Sequence, residues 1–226
     1  MVELAVKKLD HWRQEGILNP TAIMPHQVSV IGVGGIGSPV VMCLSKMGME
    51  RITVYDNDSV ELHNLPNQFY RFSDIGKLKV AGIADIANDF AGVELKTENK
   101  LLTEGDVRNL HGITICGIDS LSGRRELWKG MKYNLNVPLY IDARMGGEVG
   151  RIFTVNPCDT DDVEQYEQSI ADTIVPKELK CTERAIIYNT FMIASLVANQ
   201  VKKFIMGEEL IKEITFDLKT LSIFKM

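Results

Sequence analysis

Between Val28 and Asp56 the chain runs through a strand, a glycine turn, a helix and a second strand ending in an acid, and this order constrains it more than any other feature. Val28, Val30 and Ile31 form a short β-branched run, and Gly32-Val33-Gly34-Gly35-Ile36-Gly37 then places glycine at the first, third, fourth and sixth turn positions. In such a turn Gly32 permits the sharp bend, Gly34 lets a phosphate approach the backbone, and Gly37 lets the helix pack closely on the strand. The helix predicted over Ser38 to Met47 directs its free N–H groups and positive dipole end at that phosphate. The second strand, Arg51 to Tyr55, ends in Asp56, 24 residues beyond Gly32, where an acid reaches ribose hydroxyls. Gly32, Gly34, Gly35, Gly37 and Asp56 are therefore the candidate nucleotide-binding residues. The frame alone does not choose the nucleotide, since a nicotinamide dinucleotide fits it as well as ATP.

Further along, a strand near Val93 to Thr97, a helix near Glu104 to Leu110 and an apolar strand Ile113 to Cys116 continue the alternation of a parallel sheet. Val137 to Ala143 and Gly150 to Val155 flank the turn Arg144 to Glu148 as a hairpin or crossover. Ile186 to Ile205 reads as a long apolar helix, and Ile211 to Leu218 with Leu221 to Phe224 as a terminal hairpin. Leu4, Leu9 and Trp12 lie near helical spacing, which predicts a helical arm over residues 1–20 that Pro20 ends. Residues 157–184 are polar and acidic and read as a mobile crossover loop and lid, and Arg124 and Arg125 as surface charges. The predicted fold class is α/β: a Rossmann-like, doubly wound, mostly parallel sheet with an N-terminal helical arm and a C-terminal β-hairpin, one domain over residues 1–226.

Composition narrows the function classes. A net charge of −5 argues against a generic nucleic-acid surface, and 45% hydrophobic residues with mixed charge suit a soluble globular protein. No apolar run approaches a bilayer span and the N-terminus lacks a signal-peptide core, so the expectation is a cytoplasmic protein without a membrane partner. Cys43, Cys116, Cys158 and Cys181 contain no Cys-x-x-Cys pair, so no zinc site is expected. Open α/β sheets bind ligands at the carboxyl ends of their strands, and Asp119, just after the Ile113 to Cys116 strand, falls at such an end.

The segment beyond Asp56 decides between nucleotides: it carries Asp58, Val60, Asn64-Leu65, Gln68-Phe69, Asp74-Ile75-Gly76 and Lys79. A nicotinamide enzyme needs no such segment. It resembles the ThiF/MoeB/HesA family of ubiquitin-activating-enzyme-like adenylyltransferases, in which Asp-x-Asp is followed by Asn-Leu-x-Arg-Gln and Ile-Gly-x-x-Lys blocks. The resemblance implies that Asn64 and Gln68 help bind the nucleotide, that Lys79 contacts phosphate, and that Asp119 holds the Mg2+ accompanying ATP. It implies that Arg13, in an N-terminal Arg-Gln pair, reaches across a homodimer to the partner's ATP. It places Cys181 where the family's crossover cysteine accepts the activated carrier as a thioester or persulfide.

Two departures stand out. The paired zinc cysteines of many members are missing, and Asn67 stands where the family has arginine, with Arg71 four residues later as a candidate substitute cation. Implied by the likeness is an ATP- and Mg2+-dependent adenylyltransferase that activates the C-terminal carboxylate of a ubiquitin-like or sulfur-carrier protein, or of a peptide, acting as a homodimer. An NAD-dependent oxidoreductase and a catalytically inactive dimeric scaffold stay open as alternatives, the second supported by Asn67.

Overall fold

The computed structural model describes residues 9–171 and 185–226. Eight strands form one sheet: β1 Val28–Ile31, β2 Ile52–Tyr55, β3 Lys96–Glu98, β4 Ile113–Cys116, β5 Leu139–Gly146, β6 Val149–Val155, β7 Glu213–Asp217 and β8 Ser222–Lys225. The helices are α1 Pro20–Ile23, α2 Gly37–Met47, α3 Lys79–Ala91, α4 Glu104–Val107, α5 Leu121–Met131, α6 Thr160–Ile170 and α7 Ile187–Ile205.

Strand order is β3-β2-β1-β4-β5-β6-β7-β8. The first five strands pair in parallel, and β6, β7 and β8 continue antiparallel. The chain winds outward from β1 through β2 to β3 on one side, then resumes at β4 on the other. The crevice between the carboxyl ends of β1 and β4 is thus the switch point at which such sheets bind ligands. All four residues of β1 and all four of β4 are buried, because a central parallel strand is covered on both faces.

Side-chain alternation divides the core into two layers. Val30, Val54, Ile115, Ile141 and Ile152 face α2, α3 and α7, whereas Ile31, Cys116, Tyr140 and Phe153 face α4, α5 and α6. Helix α2 buries Val40, Val41 and Leu44 completely and stops at Gly48, whose N–H returns to the carbonyls of Leu44 and Ser45.

Several expectations need correction. The described part of the N-terminal arm holds only a 3-10 turn at Trp12–Gln14, and Pro20 begins α1 instead of ending a helix. Asn19 caps α1 through Oδ1, which accepts from the Thr21 N–H at 2.9 Å, and proline at the first helical position loses no hydrogen bond. The acidic stretch read as a loop contains α6: Asp159 caps it, Asp161 and Asp162 sit in the first turn where the dipole favours them, and Val163, Tyr166 and Ile170 form its buried stripe. Residues Arg144 to Glu148 close a β5–β6 hairpin, not a crossover. Helix α3 ends at Ala91, where Gly92 stops it.

Candidate nucleotide site

The glycine turn joins β1 to α2, and neighbouring segments hold it from several sides. The Gly32 N–H donates to the Tyr55 carbonyl at 2.8 Å, and its φ of +82° is left-handed, which an L side chain would strain. A Cβ at Gly37 would lie 1.9 Å from the Gly32 oxygen, so only glycine allows this approach of α2 to β1. Asp56, at the end of β2, accepts from the Val33 N–H through Oδ2 and from the Asp58 N–H through Oδ1, both at 2.9 Å. The Ser38 hydroxyl donates to Gly34 O at 2.6 Å and accepts from Phe69 N at 2.9 Å. Tyr70 closes that side, its hydroxyl donating to Val33 O at 2.6 Å. Burial, followed by the charges of Asp56, Asp74 and Asp58, pushes the Tyr70 phenol far above its ordinary pKa, so it stays a donor.

Gln68 lies beside Gly34, where a Cβ would stand 3.7 Å from its Nε2. Gln68 Oε1 is shielded from solvent and accepts no hydrogen bond among the described residues. Such an acceptor costs about 1–3 kcal/mol until a donor arrives, which fits a group that waits for ligand. Asn64 is 8% exposed and uses Oδ1 to accept from the Glu61 N–H at 2.9 Å, so its carbonyl end shapes the loop. Gly35 faces Met145, the Asn67 backbone oxygen and Thr190, which brings the β5 end and α7 against the turn.

Lys79 opens α3 and is only 7% exposed. Its ammonium pairs with Asp58 Oδ2 at 2.7 Å, and its N–H donates to the Asp58 carbonyl at 2.9 Å. Asp58 itself is 63% exposed, so it can turn to water and release the ammonium to a phosphate.

Arg71 is committed elsewhere. Its guanidinium donates to Asp74 through Nε at 2.9 Å and Nη2 at 3.0 Å, and through Nη1 to Asp89. The Asp74 and Asp89 hydrogen bonds raise its already high pKa. This corrects the expectation of a free substitute cation: two acids projecting from α3 and its leading loop hold the group. Lys77 joins the same cluster through Asp85 at 2.7 Å and Asp74 at 3.2 Å.

Asp119 follows β4 across the switch point, in a loop that packs on the glycine turn. A Cβ at Gly32 would meet Ile118 Cγ2 at 3.0 Å, and Gly117 N donates to Ile31 O at 2.8 Å. The helix cap beside it is Ser120, whose Oγ accepts from Gly123 N, so Asp119 is spared that task. Asp119 is exposed and makes no hydrogen bond or ion pair with a described residue. One carboxylate without a partner among the described residues, beside the glycine turn, is a donor set that fits Mg2+, which takes one or two carboxylates with phosphate oxygens and water.

The charges beneath this loop escape a reading of the sequence. Arg124 is 3% exposed, not a surface charge; it forms an ion pair with the fully buried Asp142 and donates to Ile118 O and, at 2.9 Å, to Ala143 O. Asp142 Oδ2 also accepts from Arg144 Nε at 2.7 Å and Tyr166 OH at 3.0 Å. Arg144 goes on to Ser169 and lies over the Phe153 ring, its guanidinium carbon 4.4 Å from the centroid. A signal existed: Arg124, Leu127, Trp128 and Met131 share one buried stripe of α5.

Arg13 is not brought to this site in its own chain. It is exposed, and the neighbouring Gln14 bonds Met47 O at 2.7 Å, at the end of α2 opposite the glycine turn. Eleven helical residues separate those ends by about 16 Å. Cys181 lies outside the described residues.

The strand order, the glycine turn at its switch point and the acids ending β2 and following β4 define an α/β domain of the Rossmann type. Within that class the chain belongs to the ThiF family, whose pattern matches residues 11–226. It is 32% identical over 118 residues to the NEDD8-activating enzyme E1 catalytic subunit of Caenorhabditis elegans, covering 50% of this chain and 27% of that one. It is 28% identical over 138 residues to the adenylyltransferase and sulfurtransferase MOCS3-1 of Zea mays, covering 59% of this chain and 29% of that one. The chain thus spans between a quarter and a third of the length of these relatives. Among solved structures, Escherichia coli MccB with AMPCPP and MccA superposes with a TM-score of 0.71 at 20% identity, over 92% of this chain and 65% of that one. PaaA gives 0.72 at 18% identity, over 92% and 74%. These likenesses establish the fold.

Proposed function

We propose that the protein is an ATP-dependent adenylyltransferase that activates the C-terminal carboxylate of a ubiquitin-like or sulfur-carrier protein, or of a peptide. The observation that carries this reading is the convergence on one glycine turn of three segments an ATP site needs: Gln68 beside Gly34, Lys79 held by Asp58, and the loop of Asp119 packed on Gly32. Supporting it are the family's relatives, among them a NEDD8-activating and a sulfurtransferase enzyme, and a structural neighbour obtained with AMPCPP and MccA.

In this reading the acceptor carboxylate attacks the α-phosphate of ATP and pyrophosphate leaves. The N-terminus of α2 and the turn's N–H groups bind phosphate, Asp56 meets the ribose, and Gln68 Oε1 accepts a nucleotide donor. Lys79 exchanges Asp58 for a phosphate oxygen and stabilises charge that grows in the transition state. When bound at Asp119, Mg2+ supplies Lewis-acid neutralisation of the phosphates. Arg13 serves the partner's site in a homodimer, and Cys181, if used, receives the carrier after adenylation.

The test is magnesium-dependent pyrophosphate–ATP exchange, with and without small proteins ending in Gly-Gly and short peptides, alongside Asp119→Ala. Exchange requiring both acceptor and Asp119 supports the reading; an inability to bind ATP sinks it. A second reading, a dimeric scaffold of the same fold, draws on Asn67 and the commitment of Arg71 to Asp74 and Asp89. It expects ATP or partner binding without exchange for any acceptor, whereas binding of NADH in preference to ATP would favour an oxidoreductase.

A further inference from the structure

We infer that Arg124 is a positioning residue that sets the magnesium response of the site by fixing the loop carrying Asp119. The inference rests on Asp119 serving magnesium-ATP as proposed above, and adds a residue that touches neither.

A buried ion pair gives up the hydration of both partners and is seldom more stabilising than apolar side chains of the same volume. Helix α5 has such side chains available, since Leu127, Trp128 and Met131 already seat it against the sheet. Fold stability alone therefore gives little reason to bury the Arg124 and Asp142 charges. What the pair does instead is visible in its donors.

Parallel pairing of β4 with β5 ends at Cys116 and Asp142. Immediately beyond, Arg124 Nη2 donates both to the carbonyl of Ile118 and to that of Ala143, while Nη1 faces Asp142. The guanidinium thus extends the ladder where the backbones have separated, and ties the residue preceding Asp119 to β5. Ile118 lies on Gly32, so the loop is held between the glycine turn and the guanidinium. Asp142 is itself fixed by Arg144 and Tyr166, and Arg144 by Ser169, which continues the brace into α6. An ammonium carries the same charge but lacks the planar fork that spans a carboxylate and two carbonyls.

Arg124→Lys separates the fork from the charge, and Asp142→Asn removes the carboxylate that aims the fork. Two readouts are needed. In nucleotide-free protein, hydrogen exchange over residues 113–123 should quicken in both variants, by loosening of the loop. In calorimetric titration of ATP at varied Mg2+, affinity without the metal should stay within about twofold of wild type, whereas the apparent magnesium constant should weaken about tenfold, as for other groups that orient a ligand side chain. Arg124→Lys added to Asp119→Ala should then cost nothing further, because both act on one interaction. A lower melting temperature with an unchanged magnesium constant, or losses that add in the double variant, would overturn the inference. Wild-type protein that binds no magnesium-ATP would instead overturn the adenylation reading, and this inference with it.

Discussion

Replacing Gly37 by alanine tests how the glycine turn is built. The added Cβ would sit 1.9 Å from Gly32 O, 2.9 Å from Gly32 C and 3.3 Å from Val30 Cγ1. Relief requires a backbone shift of more than about 1 Å, because carbon and its neighbours settle only near van der Waals separation. Neither wall gives easily. Gly32 is held by its bond to Tyr55 O and by Ile118, and α2 is seated by Val40, Val41 and Leu44, all fully buried. Overpacking of this kind costs about 1–3 kcal/mol, and two backbone walls place Gly37→Ala at the upper end. For a chain of this size about 3 kcal/mol lowers the melting temperature by roughly 6–12 °C.

Two companion substitutions calibrate the value. Gly76, at φ +85° with no atom near its Cβ position, should cost only left-handed strain, about 1–2 kcal/mol. Gly16, with open space and no positive φ, should leave stability unchanged or raise it by about 0.5 kcal/mol. Thermal and urea unfolding of the three variants should therefore rank Gly37→Ala below Gly76→Ala below Gly16→Ala, and ATP affinity should fall sharply only in the first. A Gly37→Ala protein melting within a degree or two of Gly16→Ala would refute the close-approach argument.

Lys79→Met should weaken ATP binding by about 10–100-fold, the worth of a charge-assisted hydrogen bond, while unfolding midpoints move little because exposed Asp58 rehydrates; unchanged affinity in calorimetry removes Lys79 from the site. For Asp74, burial pushes the carboxyl pKa up but hydrogen bonds from Arg71 and Lys77 outweigh it, so the net shift is downward. A lowered folded-state pKa stabilises above the ordinary carboxyl value of about 3.9 and is lost as pH falls through the folded value. Urea midpoints of wild type and Asp74→Ala should thus lie apart at pH 7 and converge as acid protonates Asp74; curves parallel at every pH contradict the assignment. Tyr166→Phe keeps ring packing against Trp128 at 4.5 Å but removes the 3.0 Å bond to Asp142, and should cost about 1.5–3 kcal/mol in chemical denaturation, with no loss counting against that bond.

What the sequence made legible was local. Strand β4 and the glycine turn could be read from four or six consecutive residues, because a buried parallel strand and a phosphate turn each impose their own residue types. Helix α6 was also within reach, since Asp159 followed by Asp161 and Asp162 is a capping pattern, but the run of acids suggested a solvated loop. Its buried face is Val163, Tyr166 and Ile170 together with one of the acids, Asp162, whose carboxylate accepts from the Asn156 N–H and pairs with Lys212. Arg71 shows the other limit. Asp74 is three residues away, whereas Asp89 reaches it from the far part of α3, and only the packing of that helix brings them together. The Arg124 and Asp142 pair was hidden by chemistry, since a charge inside an apolar pattern reads as an exception until its partner is found.

The distribution of cations leads to a last prediction. Asn67 stands where the resembled family carries arginine, Arg71 is hydrogen-bonded to Asp74 and Asp89 with Asp85 at 3.9 Å, and Arg13 lies by the far end of its own α2, beside the exposed Trp12. In the proposed homodimer the expectation is therefore that Arg13 acts in trans and Asp119 in its own chain. Arg13→Ala and Asp119→Ala homodimers should each lose exchange activity, yet mixing their unfolded chains and refolding should restore it. In a mixed dimer one site pairs intact Asp119 with intact Arg13 and the other carries both lesions. Random twofold assembly makes half the dimers mixed, so about a quarter of wild-type activity should return. If Arg13 served its own chain, every site in every dimer would carry one lesion and mixing would restore nothing. The two arrangements differ in outcome without any need to know where Arg13 sits when ATP is bound.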